Sequence, residues 1–169
     1  NIIFKKIKRL GKKYHLTYSG MHALDTLRLE KKFLHWGHDI TSANNPFESG
    51  LSFAVNFKKN ENFIGREALE KIKDKPLKNK LELFSLRENF KPGAPLLLHD
   101  EPIFRSDKII GYTTSSNYSF CYKKNICLAY VEGEIVEDEQ LFIEIEGKKH
   151  ALKLEKQPIH DPRAELMRS

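Results

Sequence analysis

Long apolar segments are missing from this sequence of 169 residues, in which 40% of the residues are apolar and 31% are charged. A helix that spans a membrane needs about 20 consecutive apolar residues, so the sequence argues against membrane insertion. Cysteine is also scarce, because Cys121 and Cys127 are the only two. Two thiols without a neighbouring cluster argue against a disulfide scaffold. We therefore expect a reducing compartment, either the cytoplasm or, in a eukaryote, the mitochondrial matrix.

The short motifs of several enzyme classes are absent as well. The sequence contains no GxSxG, P-loop or GxGxxG motif, which argues against a loop that binds nucleotide phosphates. His22, His35, His38 and Asp39 could together bind zinc, but no HExxH or CxxC signature accompanies them. We expect these histidines to cap or to pack, and we predict no metal site.

Positive charge is concentrated at the start of the chain. Residues 1–15 carry six lysine and arginine residues and no acid, whereas the rest of the chain has equal numbers of basic and acidic residues. Ile3, Ile7, Leu10 and Tyr14 fall on one face of a helix, so the cations occupy its solvated face. This interpretation is favoured over nucleic-acid binding, which is the weakest of the alternatives. Because the chain opens inside this helical pattern without Met, we expect it to be a fragment.

The first part of the sequence, up to residue 75, has mainly helical patterns. Ser19 is expected to cap a second helix whose buried stripe contains Met21, Leu24 and Leu27. Alternation over residues 53–57 predicts a strand, and Gly65 precedes a helix that runs to residue 73. The polar segment 74–80 (DKPLKNK) is the expected boundary between domains at 1–75 and 80–169.

The second part has the pattern of a small all-β module. Strands are predicted at 81–86, 95–99, 109–115, 126–131, 141–146 and 151–155. Pro92-Gly93 is expected to separate the first two strands, and Gly147-Lys148 to connect the last two as a hairpin. We predict that residues 81–157 form an antiparallel barrel. Its expected core residues are Leu81, Leu83, Ile110, Leu128, Tyr130 and Ile143.

Glu30 stands out because it ends a predicted helix immediately before an aromatic loop. A carboxylate there faces the negative end of its own helix dipole, which disfavours it unless a donor compensates. A ligand with paired N–H groups, such as an aminopyrimidine ring, could supply that donor. On composition alone, an ion pair with Arg28 or a neighbouring lysine is the favoured interpretation.

The motifs resemble those of the aminomethyltransferase family, which includes the glycine-cleavage T-protein and the folate-binding halves of dimethylglycine and sarcosine dehydrogenases. The matching segments in the first half are 19–31 (SGMHALDTLRLEK), 35–41 (HWGHDIT), 46–51 (PFESGL), 53–55 (FAV) and 63–69 (FIGREAL). In the second half they are 111–115 (GYTTS), 128–131 (LAYV) and 158–162 (PIHDP). HWGHD together with FIGREAL favours the dehydrogenase branch.

The resemblance implies an α+β fold, with a truncated folate-binding aminomethyltransferase domain followed by a small antiparallel β-barrel. It implies transfer of a one-carbon unit from glycine, sarcosine or dimethylglycine to tetrahydrofolate, and FAD only if a separate oxidase domain exists. Glu30 would hold the pterin ring, Trp36 would lie at the folate site, and Lys58 and Lys59 would meet the benzoyl-glutamate end. The catalytic Asp of the family lies in the N-terminal half, which these residues do not include, so no catalytic residue is assigned.

Two kinds of partner follow from the resemblance. A non-catalytic module that completes a folate-binding partner chain is the alternative to an enzyme, and the missing N-terminal half or an FAD domain would be its partner. The apolar surface expected around Phe33, Trp36 and Phe53 could also drive association between identical chains.

Overall fold

The computed structural model describes residues 1–90, 94–136, 138–166 and 168. It confirms the α+β class. The helices and strands are α1 Ile2–Gly11, α2 Met21–Glu30, α3 Arg66–Glu70, β1 Asn79–Leu86, β2 Pro102–Arg105, β3 Lys108–Ser119, β4 Lys124–Glu132, β5 Leu141–Ile145 and β6 Lys148–Glu155. Within these described ranges, each helix is too short or too polar to cross a membrane.

The six strands form a closed antiparallel barrel in the order β1-β4-β3-β2-β5-β6, as predicted. β5 and β6 are joined by a two-residue turn in which Glu146 and Gly147 both have positive φ, 48° and 75°. Such a turn matches the twist of the strands it connects, and glycine adopts the left-handed conformation without steric cost. The turn is therefore centred one residue earlier than predicted. The predicted turn at Pro92-Gly93 lies outside the described residues.

One predicted strand is wrong, and a different segment takes its place in the barrel. Residues 95–99 run beside β3, but the bonds are donated by side chains, from Ser116 Oγ to the Leu97 carbonyl and from Thr113 Oγ1 to the Leu98 carbonyl. The barrel strand is instead β2, which pairs with both β3 and β5. β2 begins at Pro102, a position at which the missing backbone N–H is tolerated.

The apolar side chains form two clusters on opposite sides of the barrel wall, rather than the single core that was predicted. Side chains alternate along a strand, so neighbouring residues of β1 and β4 enter different clusters. The barrel interior contains Phe84, Leu86, Leu97, Ile103, Ile110, Cys127, Ala129, Val131, Leu141, Ile143, Ile145 and Leu152. The outer cluster, under α2, contains Leu29, Leu81, Leu83, Ile126, Leu128 and Ile159, with Leu34 and Tyr130 packed against it.

The first part of the chain departs more from its patterns. The predicted stripe of α2 is solvent-exposed, and Leu29 and Glu30 are buried instead. Gly20, not Ser19, is the N-cap residue of α2. The predicted strand at 53–57 is wrong, because Ser52–Ala54 forms a 3₁₀ helix and Phe53 is 85% exposed. Alternation indicates a strand only where neighbouring strands cover one face, and no described strand does so here.

Candidate functional site

Glu30 is the last residue of α2 and is buried, with 2% of its surface exposed. Its position follows from the packing of α2, since the preceding residue, Leu29, is fully buried in the outer cluster against β1 and β4. Leu29 thereby anchors the C-terminal end of the helix on the barrel. The carboxylate at this end is consequently enclosed between α2 and the turn that joins β3 to β4.

The Glu30 carboxylate accepts two hydrogen bonds from that turn. The Ser119 hydroxyl donates to Oε1 at 2.7 Å, and the Cys121 backbone N–H donates to the same oxygen at 3.2 Å. Ser119 Oγ in turn accepts a hydrogen bond from the Tyr122 backbone N–H at 3.1 Å. Both of these bonds end on Oε1, and the Cys121 thiol is also hydrogen-bonded to the carboxylate. The β3–β4 turn therefore holds Glu30 through neutral donors.

The donors to Glu30 are neutral, so the ion pair that composition favoured does not form. The cations next to it in the sequence pair elsewhere: Arg28 with Asp39, Lys31 with Asp161 and Lys32 with Glu82. Hydrogen bonds from the barrel thus compensate a charge that the helix dipole disfavours.

The two thiols are poor nucleophiles in this fold. Desolvation and the adjacent Glu30 carboxylate raise the pKa of the Cys121 thiol. Burial in the barrel interior raises the pKa of Cys127 to about 12. Because the thiolate is the reactive form, neither cysteine is suited to nucleophilic catalysis.

A buried ion pair fixes the loop that follows α2. Asp39 accepts hydrogen bonds from Arg28 Nη1 at 2.5 Å, from the His35 backbone N–H at 2.8 Å and from Thr114 Oγ1 at 2.6 Å. Arg28 also donates from Nη2 to Ser115 Oγ at 2.7 Å. This network joins α2, the loop and β3. Arg28 also pairs with Asp25, three residues earlier on the same helix, at 3.2 Å.

Trp36 lies on this loop with 67% of its surface exposed. The loop is closed by a bridge between Trp36 and Ile40 and by a hydrogen bond from the Gly37 N–H to the Ile40 carbonyl at 2.8 Å. The indole ring is therefore presented outward from a braced loop, where it could stack on a flat ligand.

Lys58 and Lys59 are exposed on a second loop. Arg66 of α3 holds this loop by donating to the Phe57 carbonyl at 2.7 Å and to the Lys59 carbonyl at 3.0 Å. Lys59 also lies 4.0 Å from the Glu61 carboxylate. Among the described contacts, none joins this loop to Glu30, so the four predicted site residues are not brought into one contact network. Arg66 was not predicted to act on this loop.

The C-terminal segment, residues 159–161, docks against the same end of α2. The His160 backbone N–H donates to the Glu30 carbonyl at 3.1 Å, and Lys31 Nζ donates to the Asp161 carboxylate at 2.5 Å. This bond from Lys31 is the main reason that the pKa of Asp161 lies below its ordinary value of 3.8. Ile159 is buried in the outer cluster. The segment therefore helps to enclose the helix end that carries Glu30.

A cavity of about 240 Å³ opens beside the Arg28–Asp39 pair, between α2, the loop and β3. His35, His38 and His99 line it, and the rings of the first two are 4.7 Å apart. In the part of the chain that the structure describes, no three His, Cys, Asp or Glu side chains are grouped as metal ligands would be.

Known proteins share both parts of this architecture. The family model described as the GCVT N-terminal domain matches residues 1–59, and the one described as the glycine cleavage T-protein C-terminal barrel domain matches residues 82–161. The mitochondrial dimethylglycine dehydrogenase of Rattus norvegicus is 32% identical over 159 residues, which are 93% of this chain and 18% of that protein. The aminomethyltransferase of Listeria innocua is 39% identical over 142 residues, which are 83% of this chain and 38% of that protein.

The fold comparison agrees with the sequence comparisons. The crystal structure of the glycine cleavage system aminomethyltransferase T from Bartonella henselae superposes with a TM-score of 0.82. The alignment covers 94% of this chain and 44% of that one, at 23% sequence identity. This chain thus spans less than half the length of the relatives that it matches. The motifs, the barrel and the family matches together show that the chain belongs to the aminomethyltransferase (glycine-cleavage T-protein) family.

Proposed function

We propose that this chain supplies the C-terminal, folate-binding portion of a tetrahydrofolate-dependent aminomethyltransferase-like protein. Its reaction passes a one-carbon unit from glycine, sarcosine or dimethylglycine to tetrahydrofolate. The observation that carries the proposal is the buried carboxylate of Glu30, which is held by neutral donors of the barrel while the cations next to it in the sequence pair elsewhere. The names of the relatives support the reaction class.

The chemistry of this carboxylate fits a pterin. The pterin ring carries adjacent N–H donors, and an ionised carboxylate accepts such donors strongly. No cation of the neighbouring sequence neutralises Glu30, so its charge stays available to the ligand. Tetrahydrofolate supplies the nitrogen atoms that accept the one-carbon unit, and the part assigned to Glu30 is to bind and orient the ring.

Trp36 and the lysine pair are proposed to contact the rest of the ligand. Trp36 offers an exposed aromatic face, and Lys58 and Lys59 offer cations for the carboxylates of the glutamate end. A lysine ammonium group is a point charge rather than the planar fork of an arginine, so this contact is expected to tolerate several positions of the glutamate.

The test of the proposal is the Glu30→Gln substitution in the protein at its full natural length. Gln keeps the shape but loses the charge and presents an N–H group to the ligand donors. We expect tetrahydrofolate affinity to fall about ten- to a hundredfold, because a hydrogen bond to a charged group contributes roughly 1.5–3 kcal/mol. Calorimetric titration measures the affinity, and thermal unfolding measures the folded fraction of each sample.

Glu82→Gln is the matched control, since Glu82 is also a largely buried glutamate but pairs with Lys32 and Lys80. Its substitution should change the melting temperature without changing folate affinity. If Glu30→Gln leaves the affinity within about a factor of two while lowering the melting temperature, Glu30 has a structural role and the proposal is wrong.

A non-catalytic module that completes a folate-binding partner chain is the second candidate. The chain contains Glu30 and the whole barrel, whereas the family resemblance places the catalytic Asp in a preceding half. An upstream reading frame that continues through that Asp would support the enzyme. A separate gene for the N-terminal half, whose product binds this chain, would support the module.

A further inference from the structure

We propose that Ser119 is a positioning residue for folate binding, because its hydroxyl group fixes the orientation of the Glu30 carboxylate that is proposed to hold the pterin. This inference rests on the proposed function of Glu30 as the pterin ligand. It gives a residue of the barrel a part in ligand binding. Ser119 and Glu30 are 89 positions apart in the sequence and meet only in the folded protein.

The Ser119 hydroxyl has a defined direction in this site. It lies at the end of β3 with no exposed surface, and its oxygen accepts a hydrogen bond from the Tyr122 backbone N–H at 3.1 Å. A hydroxyl has a single hydrogen to donate, and this one is donated to Glu30 Oε1 at 2.7 Å. The turn backbone therefore orients Ser119, and Ser119 orients the carboxylate.

Fixing one carboxylate oxygen has a direct consequence for ligand binding. A glutamate side chain has several rotatable bonds, and a ligand that must immobilise them binds more weakly than one that meets a fixed group. Ser119 performs this immobilisation without placing a positive charge beside Glu30. A lysine or arginine at the same place would fix the side chain but neutralise it.

The Cys121 backbone N–H is a second donor to Oε1, and it remains when Ser119 is replaced. The Ser119→Ala variant should therefore keep the carboxylate in the site but leave it less well oriented. This makes the expected loss smaller than that of Glu30→Gln. We expect tetrahydrofolate affinity to fall several-fold, at most about tenfold, because the ligand must then order the carboxylate itself.

The matched control is Ser85→Ala. Ser85 is 2% exposed, and its hydroxyl also donates to a carboxylate, Glu155 Oε1, at 2.8 Å. The two substitutions remove the same atom from similar buried hydrogen bonds of the same barrel. Only Ser119→Ala should weaken tetrahydrofolate binding, as measured by calorimetric titration of the full-length protein with thermal unfolding as the measure of folding.

A double-mutant cycle separates positioning from a general effect on the fold. If Ser119 acts through Glu30, Ser119→Ala should cause no further loss of affinity in the Glu30→Gln background. Equal losses in both backgrounds, or an unchanged affinity of Ser119→Ala per folded molecule, would overturn the inference while leaving the proposed function standing. An unchanged affinity of Glu30→Gln would overturn the proposed function, and this inference with it.

Discussion

At the scale of single residues, two buried carboxylates near the end of α2 are stabilised in different ways. Asp39 is paired with the Arg28 guanidinium, so its charge is balanced within the protein. Among the described residues, the donors to Glu30 are the neutral groups of the β3–β4 turn. The first arrangement fixes a loop, and under the proposed function the second leaves the carboxylate for the pterin. This difference is the physical basis for assigning binding to Glu30 and structure to Asp39.

The Asp39→Asn substitution should destabilise the protein strongly. The Asp39 side chain has no exposed surface, and removing its negative charge would leave the guanidinium of the largely buried Arg28 without its closest partner. Breaking a buried ion pair by removing one partner costs about 3–5 kcal/mol, so we expect a loss near the lower end because Asn keeps one acceptor. Denaturant unfolding measures this change.

Asp107→Asn is the control for this prediction. Asp107 also forms an ion pair, with Lys149 at 2.9 Å, but its side chain is fully exposed. It should leave the unfolding curve unchanged. Equal effects of the two substitutions would show that the Arg28–Asp39 pair does not hold the loop.

At the scale of secondary structure, β3 is the strand that connects the barrel to the candidate site. Its register shifts between Thr113 and Ser115 where it pairs with β4. In a regular strand, consecutive side chains point to opposite faces, whereas a bulge re-aims them. Thr114 and Ser115 are consecutive, yet both bond to the Arg28–Asp39 pair. The irregularity thus lets one strand anchor α2 with two adjacent hydroxyl groups.

Gly111 lies on the same strand, at a place where only a hydrogen atom fits. A Cβ atom there would lie 1.9 Å from the Tyr130 carbonyl oxygen, which belongs to the backbone of β4 and cannot move alone. We expect Gly111→Ala to separate β3 from β4 and to lower the stability by roughly 2–4 kcal/mol, measured by thermal or denaturant unfolding.

Gly20→Ala makes the same chemical change with no clash at the new Cβ, so it should cost only the loss of a favourable N-cap residue, about 0.5–1 kcal/mol. A stable Gly111→Ala variant with an unchanged melting temperature would mean that the two strands are farther apart than described here.

At the scale of the whole molecule, the barrel is self-contained and the first part of the chain is only partly packed against it. α2 and the C-terminal segment bury apolar residues in the outer cluster. α1 contributes no buried residue, and Phe33, Trp36 and Phe53 are 50%, 67% and 85% exposed. Association of identical chains through this surface stays a prediction, to be checked by light scattering at increasing protein concentration.

Docking of the C-terminal segment should depend on pH through Asp161. The Lys31 bond lowers the pKa of Asp161 in the folded protein below the ordinary 3.8. Protons therefore bind more tightly to the unfolded chain, and the bond contributes its stability fully above pH 3.8. The contribution is lost as the pH falls through the lower, folded-state pKa.

We therefore expect Asp161→Asn to melt at a lower temperature than the wild-type protein near pH 6. The two melting temperatures should begin to converge below pH 3.8 and become equal once the pH has passed the lower, folded-state pKa, because Asp161 is then uncharged like the asparagine. A difference that stays constant over the acidic range would show that the Lys31–Asp161 bond does not contribute. Asp107→Asn again serves as the control, since its exposed carboxylate should give no such convergence.

Local patterns in the sequence were sufficient for the family and for five of the six barrel strands. Alternation and turn residues predict β1, β3, β4, β5 and β6, because each strand has neighbours on both sides and one face in a packed interior. The SGMHALDTLRLE and HWGHD motifs place Glu30 at a helix end beside an aromatic loop, and both features are present. These properties depend on residues close together in the chain, so the sequence alone determined them.

The tertiary structure decided what each of these residues contacts. Alternation could not show that Leu83 and Phe84 enter different apolar clusters, or that the pattern at 53–57 has no neighbouring strand. Nothing near Glu30 in the sequence indicates Ser119, because a hydrogen bond across 89 positions exists only when the barrel closes and α2 packs on it. The helix end determined that the Glu30 charge needs donors, and only the folded barrel determined which residues donate them.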